Sequence, residues 1–160
     1  MASITDKTPE HTHIEALVQK KLPGSPIYAF LLSDVKITSA SKGHFTARLA
    51  LTQSHMNSGG SIHGSVSATI ADWAGGMAIA TFDCREKTGV SIDIHVTYQS
   101  GAKAGDEIEI EGSAEKVGGS LAFTKFNMFR VEDGKRGRLV ASGTHTKYVK
   151  GSTPSKPDRV

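Results

Sequence analysis

One long helical pattern, set between runs of strand-like alternation, constrains the fold of this chain more than any other feature. It covers residues 62–83 and is built largely of small residues. Upstream, residues 34–50 predict two strands joined by a turn at residues 41–43. Downstream, residues 90–98 alternate apolar and polar side chains with a period of two. Three more strands are predicted, separated by glycine-rich or charged turns, over residues 106–117, 120–131 and 138–149.

This order predicts an α+β fold, in which an antiparallel sheet packs on one central helix. The last four strands are expected to form a hairpin meander. A shorter amphipathic helix precedes them, because Ile14, Leu17 and Val18 share one helical face, and it should end before Pro23. We therefore expect an N-terminal tail and short helix over residues 1–26, the main domain over 27–150, and a flexible C-terminal tail over 151–160.

Composition narrows the class of protein. The chain has 160 residues, enough for one domain. Its net charge of +3 is too small for a dedicated nucleic-acid-binding protein. The single cysteine, Cys84, excludes an internal disulfide and is compatible with a reducing compartment.

No apolar run approaches the ~20 residues that span a bilayer, so no integral membrane segment is expected. Without an apolar signal core or an early arginine, the N-terminus predicts a cytoplasmic protein.

Asp72 is the unusual residue of the long helix. The apolar face of this helix carries Ile62, Val66, Ile70, Trp73, Met77 and Ala80. Asp72 lies beside that face among small residues, with no Lys or Arg four positions away. The adjacent Gly75 and Gly76 each cost about 1 kcal/mol relative to alanine, so another backbone or a ligand should approach closely. Asp72 is either a solvated carboxylate or, as we expect, a partly buried one that lines a pocket.

The start of the helix offers a second candidate site. Residues 57–65 form a polar, glycine-bearing loop that leads into the first turn, where free N–H groups favour a developing oxyanion. An ordinary glycine-rich loop with a serine cap would give the same pattern. Gly64 and Asp72 are eight residues apart, which is about 12 Å along a helix. If both serve one reaction, a second chain must supply one of them across a symmetric interface.

These residues together resemble the hotdog-fold thioesterases, in particular the PaaI-like acyl-CoA thioesterases that include the mammalian thioesterase-superfamily-member-2 type. The resemblance covers about residues 27–148. It is carried by Asn57-x5-His63-Gly64, by Asp72 within the helix, and by Gly89-Val-Ser91-Ile-Asp93. The strands add Tyr98-x-Ser100-x-Ala102-Lys103-x-Gly105, Leu121-Ala-Phe-Thr124 and Gly143-x-His145-Thr-Lys147.

The resemblance implies a hotdog fold, in a homodimer or a dimer of dimers, with active sites between subunits. It implies hydrolysis of fatty or aryl acyl-CoA thioesters to free acid and CoA. The Gly64 N–H and the Asn57 side chain, in the motif that includes His63, would polarise the thioester carbonyl. Asp72 from the other subunit would activate water or attack directly, and Ser91 would hold the water.

The same resemblance implies a set of CoA contacts. These residues are Tyr98, Ser100, Lys103, Lys116, Gly118, Gly119, Ser120, Leu121 and Tyr148. Lysines at such positions suit the CoA phosphates. Three positions depart from the family's pattern. Ser65 replaces a glycine and should leave the Gly64 N–H free, whereas Gly101 replaces a common proline and Tyr148 a histidine.

Two alternatives stay open at this point. One is a non-catalytic acyl-CoA-binding hotdog protein. The other is a hotdog acyl-CoA hydratase or dehydratase, although the Asp-x-Asn-Pro-x-His pattern common in that class does not occur here. We expect no metal and no redox cofactor, since CoA enters only as part of the substrate, and His145 is interpreted as a sheet residue. A mitochondrial location is the alternative to the cytoplasm.

Overall fold

Six antiparallel strands form one sheet, and a long helix lies along its inner face. This computed structural model describes residues 7–154. The helices are α1 (Pro9–Lys21), α2 (Pro26–Leu32) and α3 (Gly64–Asp83). The strands are β1 (Lys36–Ser41), β2 (His44–Ala50), β3 (Val90–Tyr98), β4 (Glu107–Val117), β5 (Leu121–Glu132) and β6 (Lys135–Tyr148). The predicted α+β class, with an antiparallel sheet around a long helix, is confirmed.

The sheet order is β1-β2-β4-β5-β6-β3. The predicted meander is therefore correct for β4, β5 and β6 but wrong for β3. β4 already has β2 on its other side, so β3 pairs instead with the last strand, β6. Within residues 7–154, β3 is left at one edge of the sheet and β1 at the other.

The core lies between α3 and the inner face of the sheet. All six residues predicted for the apolar face of this helix are at most 9% exposed. Phe45 of β2 meets Trp73 edge-to-face, with ring centroids 5.5 Å apart. Ile108, Ile110 and Met128 of the sheet are fully buried in the same cluster. The helical period of the sequence therefore identified the packed face correctly.

The two N-terminal helices pack beside this core. α1 begins after Thr8, whose hydroxyl caps it, and buries Ile14, Leu17 and Val18. The expected short helix is confirmed, with its end at Lys21. α2 was not predicted, because seven residues carry too little periodicity to identify a helix. It buries Leu31 and Leu32 and exposes Ile27 and Phe30.

The predicted tails lie partly outside the described residues, which exclude 1–6 and 155–160. Within the described part of the C-terminal segment, Ser152 is buried and its hydroxyl accepts a hydrogen bond from Arg85 at 2.9 Å. The proposed domain boundaries stay a prediction. In residues 7–154, no helix is both long enough and apolar enough to cross a membrane.

Candidate active site

The N-terminus of α3 presents a backbone N–H group that nothing in residues 7–154 occupies. His63 caps the helix, and its Nδ1 accepts a hydrogen bond from the Ser65 N–H at 3.1 Å. The Ser65 hydroxyl bonds to the same nitrogen at 2.7 Å. The Gly64 N–H therefore has no acceptor in the described chain, as expected despite the departure at Ser65. The free N–H and the helix dipole both favour an oxyanion here.

Tyr98 packs against this end of the helix. Its hydroxyl donates to the Gly64 carbonyl at 3.1 Å, and a Cβ on residue 64 would lie 3.3 Å from the hydroxyl oxygen. A cleft of about 400 Å³ opens beside the pair, and Ser61, Ser100 and Gly101 contribute to its lining. Glycine at position 64 thus lets Tyr98 close one side of a cleft that reaches the free N–H.

Asn57 is held in a tight loop just before the helix. Its Oδ1 accepts hydrogen bonds from the N–H groups of Gly59 at 2.9 Å and Ser61 at 3.2 Å. The Asn57 N–H also bonds to the Ser61 carbonyl at 2.8 Å. Because the loop occupies the amide oxygen, the side-chain NH₂ group is the part of Asn57 left to bind a carbonyl.

His55 supports this loop, although no sequence pattern indicated it. Its Nδ1 accepts from the Thr52 N–H at 2.8 Å, so its Nε2 donates to the Leu31 carbonyl at 2.7 Å. The His55 carbonyl in turn accepts the His63 N–H at 2.8 Å. The buried ring thus connects α2 to the segment that positions Asn57 and Gly64. The contact is non-local, so no local pattern could have identified it.

Asp72 is the centre of a polar cluster built from three other elements. The Tyr28 hydroxyl of α2 donates to its Oδ2, and the Ser91 hydroxyl of β3 donates to its Oδ1 at 3.0 Å. The Nε2 of His145 on β6 is 2.9 Å from the Ser91 oxygen and 3.7 Å from Oδ1. The Asp72 side chain is 34% exposed, so it is partly buried, as expected, yet open to a reactant.

Two members of the cluster, Tyr28 and His145, were not among the predicted site residues. Burial, and then the hydrogen bond to Asp72, raises the pKa of Tyr28 far above its usual range, so Tyr28 remains a donor. Burial, followed by the nearby charge of Lys147, lowers the pKa of His145. The interpretation of His145 as a sheet residue was incomplete, because the ring also faces Asp72.

The glycine pair in α3 is explained by side chains rather than by a backbone or a ligand. A Cβ on Gly75 would lie 3.1 Å from Cγ of His145 and 3.0 Å from the Thr124 hydroxyl oxygen, and closer still to His145 Nδ1. A Cβ on Gly76 would meet the Thr88 hydroxyl at 3.1 Å. Because Gly75 has no side chain, the His145 ring can pack directly against the helix at this position. The glycine in mid-helix was the one sequence feature that indicated such a close contact, without naming the histidine.

The two halves of the predicted catalytic set do not meet within one chain. Ser91, at the start of β3, contacts Asp72, whereas Tyr98, at its end, contacts Gly64. The cleft beside Gly64 is not lined by Asp72. The two contacts thus lie at opposite ends of one edge strand, in agreement with the spacing along the helix.

The predicted CoA contacts also fall into two separate groups. Tyr98, Ser100 and Lys103 lie at the far end of β3 and line two adjoining clefts. The other group lies at the near end of β3, around the turn between β4 and β5. There Leu121 of β5 and Val90 of β3 are both register partners of Tyr148, so the three form one row across the outer face. Seven strand residues between the groups correspond to more than about 20 Å.

Comparison with known proteins identifies a family for this arrangement. The model of the thioesterase superfamily matches residues 59–136. Human acyl-coenzyme A thioesterase 13 is 34% identical over 119 residues, which cover 74% of this chain and 82% of the human protein. The likeness in sequence therefore extends over most of both chains.

Solved structures agree. Zebrafish thioesterase superfamily member 2 has a TM-score of 0.71 and 33% identity, covering 86% of this chain and 94% of the zebrafish chain. The PaaI protein of E. coli has a TM-score of 0.69 over 89% of this chain and 97% of its own, and its 17% identity indicates a shared fold. Since fold and sequence agree over most of its length, the chain belongs to the thioesterase superfamily and has the hotdog fold that its motifs predicted.

Proposed function

We propose that this chain hydrolyses fatty or aryl acyl-CoA thioesters to free acid and CoA, at a site that two copies of the chain build together. One observation carries the proposal: a single edge strand holds Asp72 at its start, through Ser91, and Gly64 at its end, through Tyr98. The name of the human relative, acyl-coenzyme A thioesterase 13, supports the choice of an acyl-CoA substrate.

The exposed edge of β3 supports a homodimer. Val90 is 65% exposed, Ile92 is 55% exposed and Ile94 is 38% exposed. An edge strand with unpaired backbone groups and apolar side chains is a template for pairing with another chain. A second copy of β3, related by a two-fold axis, satisfies both the backbone groups and these side chains.

Antiparallel pairing of two β3 strands also completes the site. The start of one strand then lies beside the end of the other, so Asp72 of one chain approaches Gly64 of its partner. The same pairing joins the two groups of predicted CoA contacts, Tyr98 to Lys103 from one chain and Lys116 to Leu121 with Tyr148 from the other.

The proposed reaction follows from the groups that each of the two chains contributes to the site. The Gly64 N–H and the Asn57 amide donate to the thioester oxygen and stabilise the tetrahedral oxyanion. Ser91 positions a water, Asp72 removes its proton, and the water oxygen attacks the acyl carbon. The carbon–sulfur bond then breaks, and the proton on Asp72 passes to the departing thiolate. No metal or redox cofactor takes part in this sequence of steps.

The nucleotide end of CoA has a basic cleft available to it. This cleft, of about 310 Å³, shares Ser61 and Gly101 with the cleft beside Gly64, and is lined by Lys103, Arg130 and Arg138 against one carboxylate, Asp106. Within residues 7–154, Arg138 forms no ion pair, whereas Arg130 lies 3.8 Å from Asp106. We propose that Arg138 and Lys103 bind a phosphate of CoA.

The first test is thiol release from a panel of acyl-CoAs, with short, long and aromatic acyl groups. Asp72→Asn is compared with wild type and with Asp34→Asn, a matched control at an exposed site. We expect turnover that Asp72→Asn abolishes while acyl-CoA still binds, and that Asp34→Asn leaves unchanged. No turnover by wild type on any substrate, with tight binding by both, would instead indicate a non-catalytic acyl-CoA-binding protein.

The shared site has its own test. Gly64→Pro removes the N–H at the first helical position, where proline is tolerated, and His63 already has the extended backbone that precedes a proline. Gly64→Ala is its control, because it places a Cβ against Tyr98 in the same way but keeps the N–H. Asp72→Asn and Gly64→Pro dimers should each be inactive. When the two chains are coexpressed in equal amounts, half of the dimers contain one intact site, which predicts about a quarter of wild-type activity. If activity does not recover, the Asp72 and the Gly64 of each site must come from the same chain.

The location of the protein in the cell stays a proposal. We favour the cytoplasm, because a single cysteine is compatible with a reducing compartment. Cell fractionation of the tagged protein tests this, and recovery in mitochondria would correct it.

A further inference from the structure

Lys147 is a buried lysine beside the candidate base, and its ammonium group has no ion pair or hydrogen bond to the residues that the structure describes. It is only 6% exposed. It follows His145 by two positions on β6, so both side chains point to the inner face of the sheet. Its register partner on β3 is Ser91, which bonds to Asp72. Its Nζ is not among the fully enclosed polar atoms, so the ammonium group keeps a small contact with solvent while most of the side chain is buried.

The charges around Lys147 come from two helices. Asp72 of α3 attracts the ammonium group, and Lys21 of α1 repels it. Burial is the largest effect on Lys147 and lowers its pKa. The ammonium group of Lys21 is itself engaged, because it donates to the Glu86 backbone carbonyl.

His145 is surrounded by charges of both signs. Lys147 repels a proton on the ring, whereas Asp72 of α3 and Asp93 of β3 attract one. The Ala71 carbonyl of α3 also favours the protonated ring, as an acceptor near it, although it does not lie in hydrogen-bonding geometry with Nδ1. Among these neighbours Lys147 is the one cation, and its effect is second only to burial.

The hydrogen bonds indicate where the proton of His145 must be. Ser91 has one hydroxyl hydrogen and donates it to Asp72, so the Nε2 of His145 must donate to Ser91. Nδ1 is buried against Gly75 and has no partner in the described chain. A neutral ring with its hydrogen on Nε2 fits this cluster, whereas a second hydrogen on Nδ1 would have only the Ala71 carbonyl nearby, outside hydrogen-bonding geometry.

We propose that Lys147 is a positioning residue whose charge keeps His145 neutral. The neutral ring donates to Ser91 and leaves Asp72 a free carboxylate base. An imidazolium at this position would pair with Asp72, since Nε2 is already 3.7 Å from its Oδ1. The consequence for catalysis rests on the proposed thioesterase activity, whereas the protonation state of His145 does not.

The test measures His145 directly, by NMR titration of the histidine ring signals in the full chain. The His145 signal is identified by its loss in His145→Gln. Lys147→Met and Lys147→Gln remove the charge, and Lys147→Arg keeps it. We expect the pKa of His145 to rise in both neutral variants and to stay at the wild-type value in Lys147→Arg. An unchanged pKa in the neutral variants would overturn the proposal.

A pH profile of kcat/KM then tests the effect on catalysis. In Lys147→Met the acid limb should move to higher pH by the amount that the NMR titration gives, while in Lys147→Arg it should not move. A shifted His145 pKa with an unmoved acid limb would overturn the catalytic half of the proposal. If wild type hydrolyses no thioester, the proposed function fails, and the NMR titration still decides the role of Lys147.

Discussion

Replacing Gly75 by alanine tests whether His145 requires a residue without a side chain at this position of α3. Alanine is the better helix former, and in an open helix the change should stabilise the protein by about 1 kcal/mol. Here the added Cβ would lie 3.1 Å from Cγ of His145 and 3.0 Å from the Thr124 hydroxyl oxygen. The ring is 1% exposed and bonds to Ser91, so it has no free direction in which to move.

The expected cost exceeds the gain. Overpacking a well-packed core costs about 1–3 kcal/mol, and displacing the ring from Ser91 costs about 1 kcal/mol more. After the gain in helix propensity, we expect a net loss of about 1–3 kcal/mol in the free energy of unfolding. Activity should fall too, because Ser91 then loses the donor that orients it toward Asp72.

Gly76→Ala is the matched control, one position along the same helix. Its Cβ would meet the Thr88 hydroxyl, which belongs to a partly exposed loop residue that can shift by a few tenths of an ångström. We expect this variant to be neutral or stabilised by up to about 1 kcal/mol. Urea unfolding at one fixed protein concentration compares the variants. Equal stability of the two alanine variants would refute the argument that His145 requires the glycine.

Three further predictions concern the site. Tyr28→Phe removes the donor to Asp72 Oδ2, so kcat/KM for thiol release should fall by about tenfold or more; a value within twofold of wild type would show that this hydrogen bond is dispensable. Burial lowers the pKa of His145, so its contribution to stability is complete above about pH 6.5 and is lost as the pH falls below that value. Unfolding at pH 7.5 and 5.5 should therefore show a smaller loss of stability in His145→Gln than in wild type, and equal losses would contradict this assignment. Arg138→Glu should raise KM for acyl-CoA but not for an N-acetylcysteamine thioester, which lacks phosphates; an equal effect on both substrates would remove Arg138 from phosphate binding.

The parts of the fold that depend on local periodicity could be predicted from the sequence. The alternation over residues 90–98 led to the right strand, although a bulge between Ser91 and Asp93 interrupts it and none of its residues is buried. The apolar face around Ile70 and Trp73 led to the right helix and to its buried face. The pairing of β3 with β6 could not be predicted, because it depends on which edge of β4 the earlier strand β2 occupies. α2 was missed because a seven-residue helix gives too few repeats.

The residues of the candidate site also divide into those that a local pattern identified and those that only tertiary packing brings together. Asp72 was identifiable because an isolated carboxylate among small helical residues is unusual, and Ser91 because its motif resembled a family. Tyr28 and His145 lie 44 and 73 positions from Asp72 and reach it only through tertiary packing. His145 stood in a motif that resembles the family, but no local pattern shows that either side chain reaches Asp72. The glycine at position 75 was a sign of close packing without an indication of the partner.

The strand order also affects how the chain can be made. As the protein emerges from a ribosome, β3 appears well before β6, its partner within the chain. During that interval, Val90, Ile92 and Ile94 are exposed on a strand with nothing to pair with, the condition under which nascent chains associate wrongly. Asp93 and His95 interrupt this apolar run and limit such association. The edge that we assign to subunit assembly is thus the segment that most needs protection before synthesis ends.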